Sequence, residues 1–132
     1  MNNDRPIQIS VMLAVSNAKE AAAWYETALD AVRMWDLGSV IGLRAHGAEF
    51  FVGEPQNNGW NTPLELGMPS VRIEVFCDDP DSIIERAVAA GAQAKPDNIR
   101  NHEMPWGKHR QGSFVDPFGH KWLVGDRSPL MK

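Results

Sequence analysis

Four histidines are the most obvious groups for metal or acid–base work: His46, His102, His109 and His120. Their only local cluster is His102-Glu103, with His109 seven residues on. No two of them have the i, i+4 spacing of a helical zinc site, and none lies in a Cys/His zinc pattern. They read as loop and surface histidines, with His120 a polar turn residue. The chain has no G-x-S-x-G elbow, no G-x-x-x-x-G-K-[ST] loop and no G-x-G-x-x-G, so hydrolase, nucleotide-triphosphatase and dinucleotide chemistries have no local support. Cys77 ends an apolar alternating run and reads as a buried, inert thiol. The run Asp78-Asp79-Asp81 reads as helix capping and dipole compensation. What the chain does carry is five Trp and six Met, side chains suited to stacking on flat rings and filling irregular apolar shapes. Trp35 falls on an expected strand and Trp60 and Trp106 in loops, with Met34, Met68 and Met104 as adaptable apolar groups. These side chains serve either loop and dimer packing or the stacking of a planar ligand.

Two strand-like runs place further groups. In the first, Ser10, Met12 and Ala14 share a face. In the second, Arg72, Glu74 and Phe76 do. Arg72 and Glu74 can therefore pair along one strand face or meet a polar ligand, unless that face is simply open to water.

The elements that carry these residues repeat. Ile7 to Val15 reads as a strand, Asn17 with Glu20 three residues later as a helix cap, and Ala18 to Leu29 as an amphipathic helix. Short strand-like pieces follow near Val32–Trp35, Val40–Ala45 and Glu49–Val52, with Gly38 and Gly47 as turns. The same order then recurs: a strand over Val71–Cys77, a helix opened by Asp79-Pro80 and closed by Gly91, and strand-like pieces near Gln93–Ala94, Gly112–Val115 and Lys121–Val124. Asp116-Pro117-Phe118-Gly119 makes the turn before the last of them. The expected organisation is an α+β domain of two βαβββ modules, residues 6–55 and 70–126, joined by a loop-like linker over 56–69. Each module forms a curved mixed sheet. One helix cannot cover both faces of a four-stranded sheet, so a second copy of the chain is expected to close the open face as a homodimer.

Composition sets the outer limits. The chain has 132 residues with 13 Lys+Arg and 17 Asp+Glu, a formal charge of −4. That suits one domain and argues against nucleic acid as a partner, since phosphates need a basic face. No apolar run reaches the ~18–20 residues of a membrane span, and Met1 to Pro6 has no leader-like apolar region. A single cysteine makes the cytoplasm the expected location.

The pattern resembles the vicinal oxygen chelate superfamily, the glyoxalase and bleomycin-resistance fold. The match rests on Val15-Ser16-Asn17 leading into Ala23-Trp24-Tyr25-Glu26, on Glu85 to Ala92, and on Trp106-Gly107 followed by Asp116-Pro117-Phe118-Gly119-His120-Lys121-Trp122. The resemblance implies paired modules, a dimer, and a cleft holding a metal or an organic ligand. Matched motif to motif, the four metal-ligand positions of catalytic members fall on Ser10, Phe51, Arg72 and Leu123. None of these grips a divalent cation, and Arg72 repels one. The expectation is therefore a protein without metal or other cofactor that binds a small aromatic or amphipathic compound without transforming it. It would resemble the branch that sequesters antibiotics such as bleomycin or mitomycin-like compounds. Ser10, Met12, Trp35, Phe51, Trp60, Arg72, Glu74, Met104, Trp106 and Leu123 are the candidate binding residues, and no catalytic residue is assigned. The alternative is a metal-dependent glyoxalase- or dioxygenase-like enzyme with a displaced site at His102, Glu103 and His109. A third is an accessory protein whose cleft is blocked by Trp35 or Phe51. The dimer could pair modules within a chain or exchange them between chains.

Overall fold

The structure, a computed structural model, describes residues 5–131; most of the N-terminal stretch inspected for a leader lies outside them. Each half builds the expected strand–helix–three-strand unit. The first comprises β1 (Met12–Ala14), α1 (Ala18–Leu29), β2 (Val32–Asp36), β3 (Val40–Ala45) and β4 (Ala48–Gly53). The second comprises β5 (Arg72–Phe76), α3 (Pro80–Ala89), β6 (Arg100–Met104), β7 (Gly107–Val115) and β8 (Lys121–Gly125). A short helix, α2 (Pro63–Leu66), and a 3-10 turn at Ser128–Leu130 complete the described chain. The strands form two open four-stranded mixed sheets, ordered β1-β4-β3-β2 and β5-β8-β7-β6, with β1/β4 and β5/β8 parallel. Among the described residues no helix is long and apolar enough to cross a membrane.

Local chemistry explains the helices. The Asn17 side chain accepts the Glu20 N–H at 3.0 Å, which caps α1. Ala18, Ala21, Ala22, Tyr25, Ala28 and Leu29 then lie buried along one face. Asp79 does the same for α3, accepting the Ser82 N–H at 3.2 Å, with Pro80 at the first helical position.

Four expectations need correcting. Gln93–Ala94 is not a strand but one isolated bridge to Val115. The edge strand of the second sheet is Arg100–Met104 instead, and β7 begins at Gly107 rather than Gly112. Arg-Asn-His-Glu-Met has no apolar alternation, because an edge strand can expose both faces; pairing with β7 holds it. The ladder of β1 covers only Met12–Ala14, and Ile7 and Ile9 are 91% exposed. The linker is not all loop: Thr62 caps α2 by accepting the Glu65 N–H at 3.2 Å.

The inner faces of the two sheets meet in one core. Leu13, Ile41, Leu43, Phe50 and Val52 come from the first, and Phe114, Trp122 and Val124 from the second, with Tyr25 and Ile84 contributed by the helices. Phe50 and Trp122 touch edge-to-face across the sheets, ring centroids 5.6 Å apart. Asp116 is the polar centre of this core. It accepts hydrogen bonds from the Tyr25 hydroxyl, from Trp122 Nε1 at 2.9 Å, and from the Phe118 and His120 N–H groups at 2.9 and 3.0 Å. His120 Nε2 donates to the Ala14 carbonyl at 2.8 Å, tying the β7–β8 turn to β1.

Packing around Gly112 is tight enough to test. A Cβ there would lie 2.7 Å from Ile84 Cδ1 and 3.2 Å from the Ile99 backbone. Gly112→Ala is expected to cost about 1–3 kcal/mol through overpacking. Urea denaturation should show a lower midpoint at unchanged slope.

Candidate functional site

Because both inner faces point into one core, both outer faces point away from it. The outer face of the first sheet carries one row across all four strands. Met12 pairs in register with Phe51, Phe51 with Gly42, and Gly42 with Trp35. Strand alternation sends Leu13, Val52 and Ile41 inward and leaves this row outward. Trp35 and Phe51 pack with centroids 5.2 Å apart and planes at 48°. The row is flat because Gly42 has no side chain: a Cβ would lie 2.5 Å from the Trp35 indole. At Gly53 a Cβ would meet Met12 Sδ at 2.6 Å and the Trp60 ring at 3.6 Å, so Met12 and Trp60 close over that position. Trp35 stays 38% and Met12 40% exposed, which makes this an open apolar platform. Beside it lies a cavity of about 280 Å³, lined by Met12, Trp60, Leu66, Met68, Val71 and His120 among others. Ser10 precedes β1, with Oγ donating to the Glu49 carbonyl at 3.4 Å.

The outer face of the second sheet is more polar. Arg72 and Glu74 form an ion pair at 3.0 Å. It is solvent-exposed and worth little to stability, about 0–1 kcal/mol. Leu123 lies between Glu74 and Ser113 in register. Met104 closes β6 and Trp106 lies in the β6–β7 turn, where its Nε1 donates to Ser128 Oγ at 3.0 Å. The ten candidates therefore divide into two groups. Ser10, Met12, Trp35, Phe51 and Trp60 gather on one sheet, and Arg72, Glu74, Leu123, Met104 and Trp106 lie on the other.

Two histidines were misplaced by sequence reasoning. His109 and His120 are buried, 4% and 8% exposed, not on the surface. His109 Nδ1 donates to Asp126 Oδ1 at 2.7 Å and lies 3.1 Å from Ser128 Oγ. Burial pushes the Asp126 carboxyl up, but hydrogen bonds from the Arg110 N–H, His109 and Ser128 outweigh it and hold the group well below the usual carboxylate range. Burial, first among its causes, pushes the Cys77 thiol up, which disfavours the thiolate a nucleophile needs. The glycines inside β3, β4 and β8 were the overlooked signal, since glycine within a strand marks a close approach.

No family model matches the chain. An uncharacterized protein of Mycobacterium bovis is 35% identical over 130 residues, spanning 89% of this chain and 81% of that one. One from Mycobacterium tuberculosis is 35% identical over 130 residues, spanning 89% and 72%. The chain belongs to one family with these mycobacterial proteins. Among solved structures, a glyoxalase/bleomycin resistance protein from Albidiferax ferrireducens superimposes with a TM-score of 0.69 at 17% identity, covering 90% of this chain and 98% of that one. A glyoxalase-related enzyme from Fulvimarina pelagi gives 0.67 at 20%, covering 90% and 87%. The fosfomycin resistance protein FosX of Listeria monocytogenes, complexed with Mn(II) and sulfate, gives 0.68 at 16%, covering 95% of each. The fold is that of the vicinal oxygen chelate superfamily.

A metal of the kind that fold can hold does not fit the residues matched to its ligand positions. Phe51 is packed against Trp35, Leu123 is buried, Arg72 is cationic and paired, and Ser10 alone offers an oxygen. The displaced set fails on geometry. His102 and His109 are cross-strand partners, but Glu103 alternates to the opposite face and binds Lys108. Asp126 already occupies His109 Nδ1. Among the described residues no group of three His, Cys, Asp or Glu side chains is gathered to hold a metal ion.

Proposed function

We propose that this protein binds a flat aromatic or amphipathic small molecule without transforming it, a sequestration role of the self-resistance type. The Met12–Phe51–Gly42–Trp35 row carries the reading. It is an apolar, partly exposed platform with an aromatic pair at one end and glycine in its middle. Such a surface offers stacking and apolar burial, which supply most of the affinity in small-molecule sites. Arg72, Glu74 and Ser10 would orient the ligand's polar groups. One open platform buries only one side of a flat molecule, and the outer faces of one chain point apart. The second wall therefore comes from a second copy, whose polar sheet faces the first chain's aromatic one in a homodimer. The single cysteine suits a reducing cytoplasm.

Tryptophan fluorescence tests this directly. Titration with a panel of aromatic antibiotics is expected to give saturable quenching by at least one compound, in protein that sediments at twice the chain mass. Metal analysis of protein purified without chelator is expected to find no stoichiometric divalent ion. A folded dimer quenched by none of the panel would overturn binding. A stoichiometric tightly held transition metal would overturn the non-catalytic role.

A further inference from the structure

The second sheet holds a polar device that the binding reading leaves unused. His109 is 4% exposed and lies on the outer face, because its neighbour Arg110 points inward to Asp81 of α3 at 2.7 Å. Two groups fix the ring: Asp126 Oδ1 at 2.7 Å and Ser128 Oγ at 3.1 Å, the latter held by the Trp106 indole N–H at 3.0 Å. Asp126 in turn accepts the Arg110 and Ser128 N–H groups at 2.9 and 3.0 Å. The carboxylate demands the Nδ1 proton, so the neutral imidazole presents a bare lone pair at Nε2. Nε2 makes no hydrogen bond within the described chain, and no fully enclosed side-chain nitrogen or oxygen there is unpartnered, so Nε2 keeps a narrow access to solvent.

The Cε1–Nε2 edge of the ring packs on Gly125. A Cβ at that glycine would come 2.8 Å from Nε2 and 2.6 Å from Cε1. Gly125 pairs in register with Phe76 on one side and Gln111 on the other. Gly53 holds the matching place in the first module, where Met12 and Trp60 cover it instead. The oriented acceptor thus sits at Gly125, in register with Phe76 and Gln111 on the neighbouring strands.

From this geometry we infer that the Asp126–His109 pair is the polar subsite of the cleft, and that it selects ligands bearing a phenolic or enolic hydroxyl. The hydroxyl donates to His109 Nε2 while its ring lies against Phe76. An anionic group would instead face the negative charge of Asp126 through the imidazole, so carboxylates and sulfonates are disfavoured there. The inference rests on the small-molecule reading above and adds the chemical class of its ligand. Asp126 and Ser128 act as positioning residues.

The test compares 2-naphthol with 2-methoxynaphthalene, which share the ring and differ in the donor. Two-bond 1H–15N spectra of the labelled protein should show His109 protonated at Nδ1 and bare at Nε2. Saturating 2-naphthol should move the Nε2 resonance, and the methyl ether should not. Affinity for 2-naphthol should be about tenfold the higher, roughly 1.4 kcal/mol. His109→Phe should erase that preference; if this variant does not fold, the spectra of the unaltered protein decide. A proton on Nε2, or two naphthalenes bound equally with Nε2 unmoved, overturns the inference and leaves the binding role standing. Failure of both naphthalenes to quench tryptophan fluorescence overturns the subsite together with the cleft reading it rests on.

Discussion

Asp116→Ala is expected to cost about 3–5 kcal/mol, a large fraction of the roughly 5–15 kcal/mol that holds an ordinary domain folded. The side chain is 4% exposed and receives four donors: the Tyr25 hydroxyl, the Trp122 indole and two backbone N–H groups. Truncation leaves all four in the core, and each stranded donor is worth about 1–3 kcal/mol before water or relaxation recovers part of it. Urea denaturation would read the loss, and a decrease under about 1 kcal/mol would refute the hub. Tyr25→Phe should cost less, because the Trp122 indole and both backbone N–H partners of the carboxylate survive. Its effect has a pH signature. Burial first, and then the Asp116 charge, raise the Tyr25 phenol well above its ordinary value. In the unfolded chain the phenol ionises near pH 10, while in the folded chain it stays protonated to higher pH. The unfolded state thus binds fewer protons across that window, so stability is full below about pH 10 and falls as pH climbs toward the folded value. Tyr25→Phe should flatten that alkaline decline.

The second large effect falls on binding. Trp35→Ala is expected to weaken an aromatic ligand by about 10–100-fold, the loss of one stacking anchor. Trp35 is 38% exposed and contributes less to the core, so the fold should persist with a small change in denaturation midpoint. Gly42→Val reaches the same end from beneath, since its Cβ would drive the indole from its seat 2.5 Å away. Binding that survives both changes would move the ligand away from the first sheet.

Much of this architecture is legible in the chain because it is written locally. Asn17 and Asp79 announce their helices, since a cap acts within one turn of the residue that makes it. The strand–helix–three-strand order shows through periodicity, and Asp116-Pro117-Phe118-Gly119 shows as a turn. Alternation points to Met12, motif matching to Phe51 and the tryptophan content to Trp35, and the register brings them into one row.

Where long-range contacts decide, the chain is silent. Arg100–Met104 becomes a strand only because β7 pairs with it. His109 and His120 look like surface groups until Asp126 and the Ala14 carbonyl, 17 and 106 residues away, claim their nitrogens. Above all, the sequence determined two similar modules with apolar and polar outer faces, while tertiary packing decided that those faces point apart. Caps, turns and alternation are set by neighbours a few residues off. Burial and facing are set by which distant surfaces exclude water together, as Phe50 and Trp122 do across the two sheets.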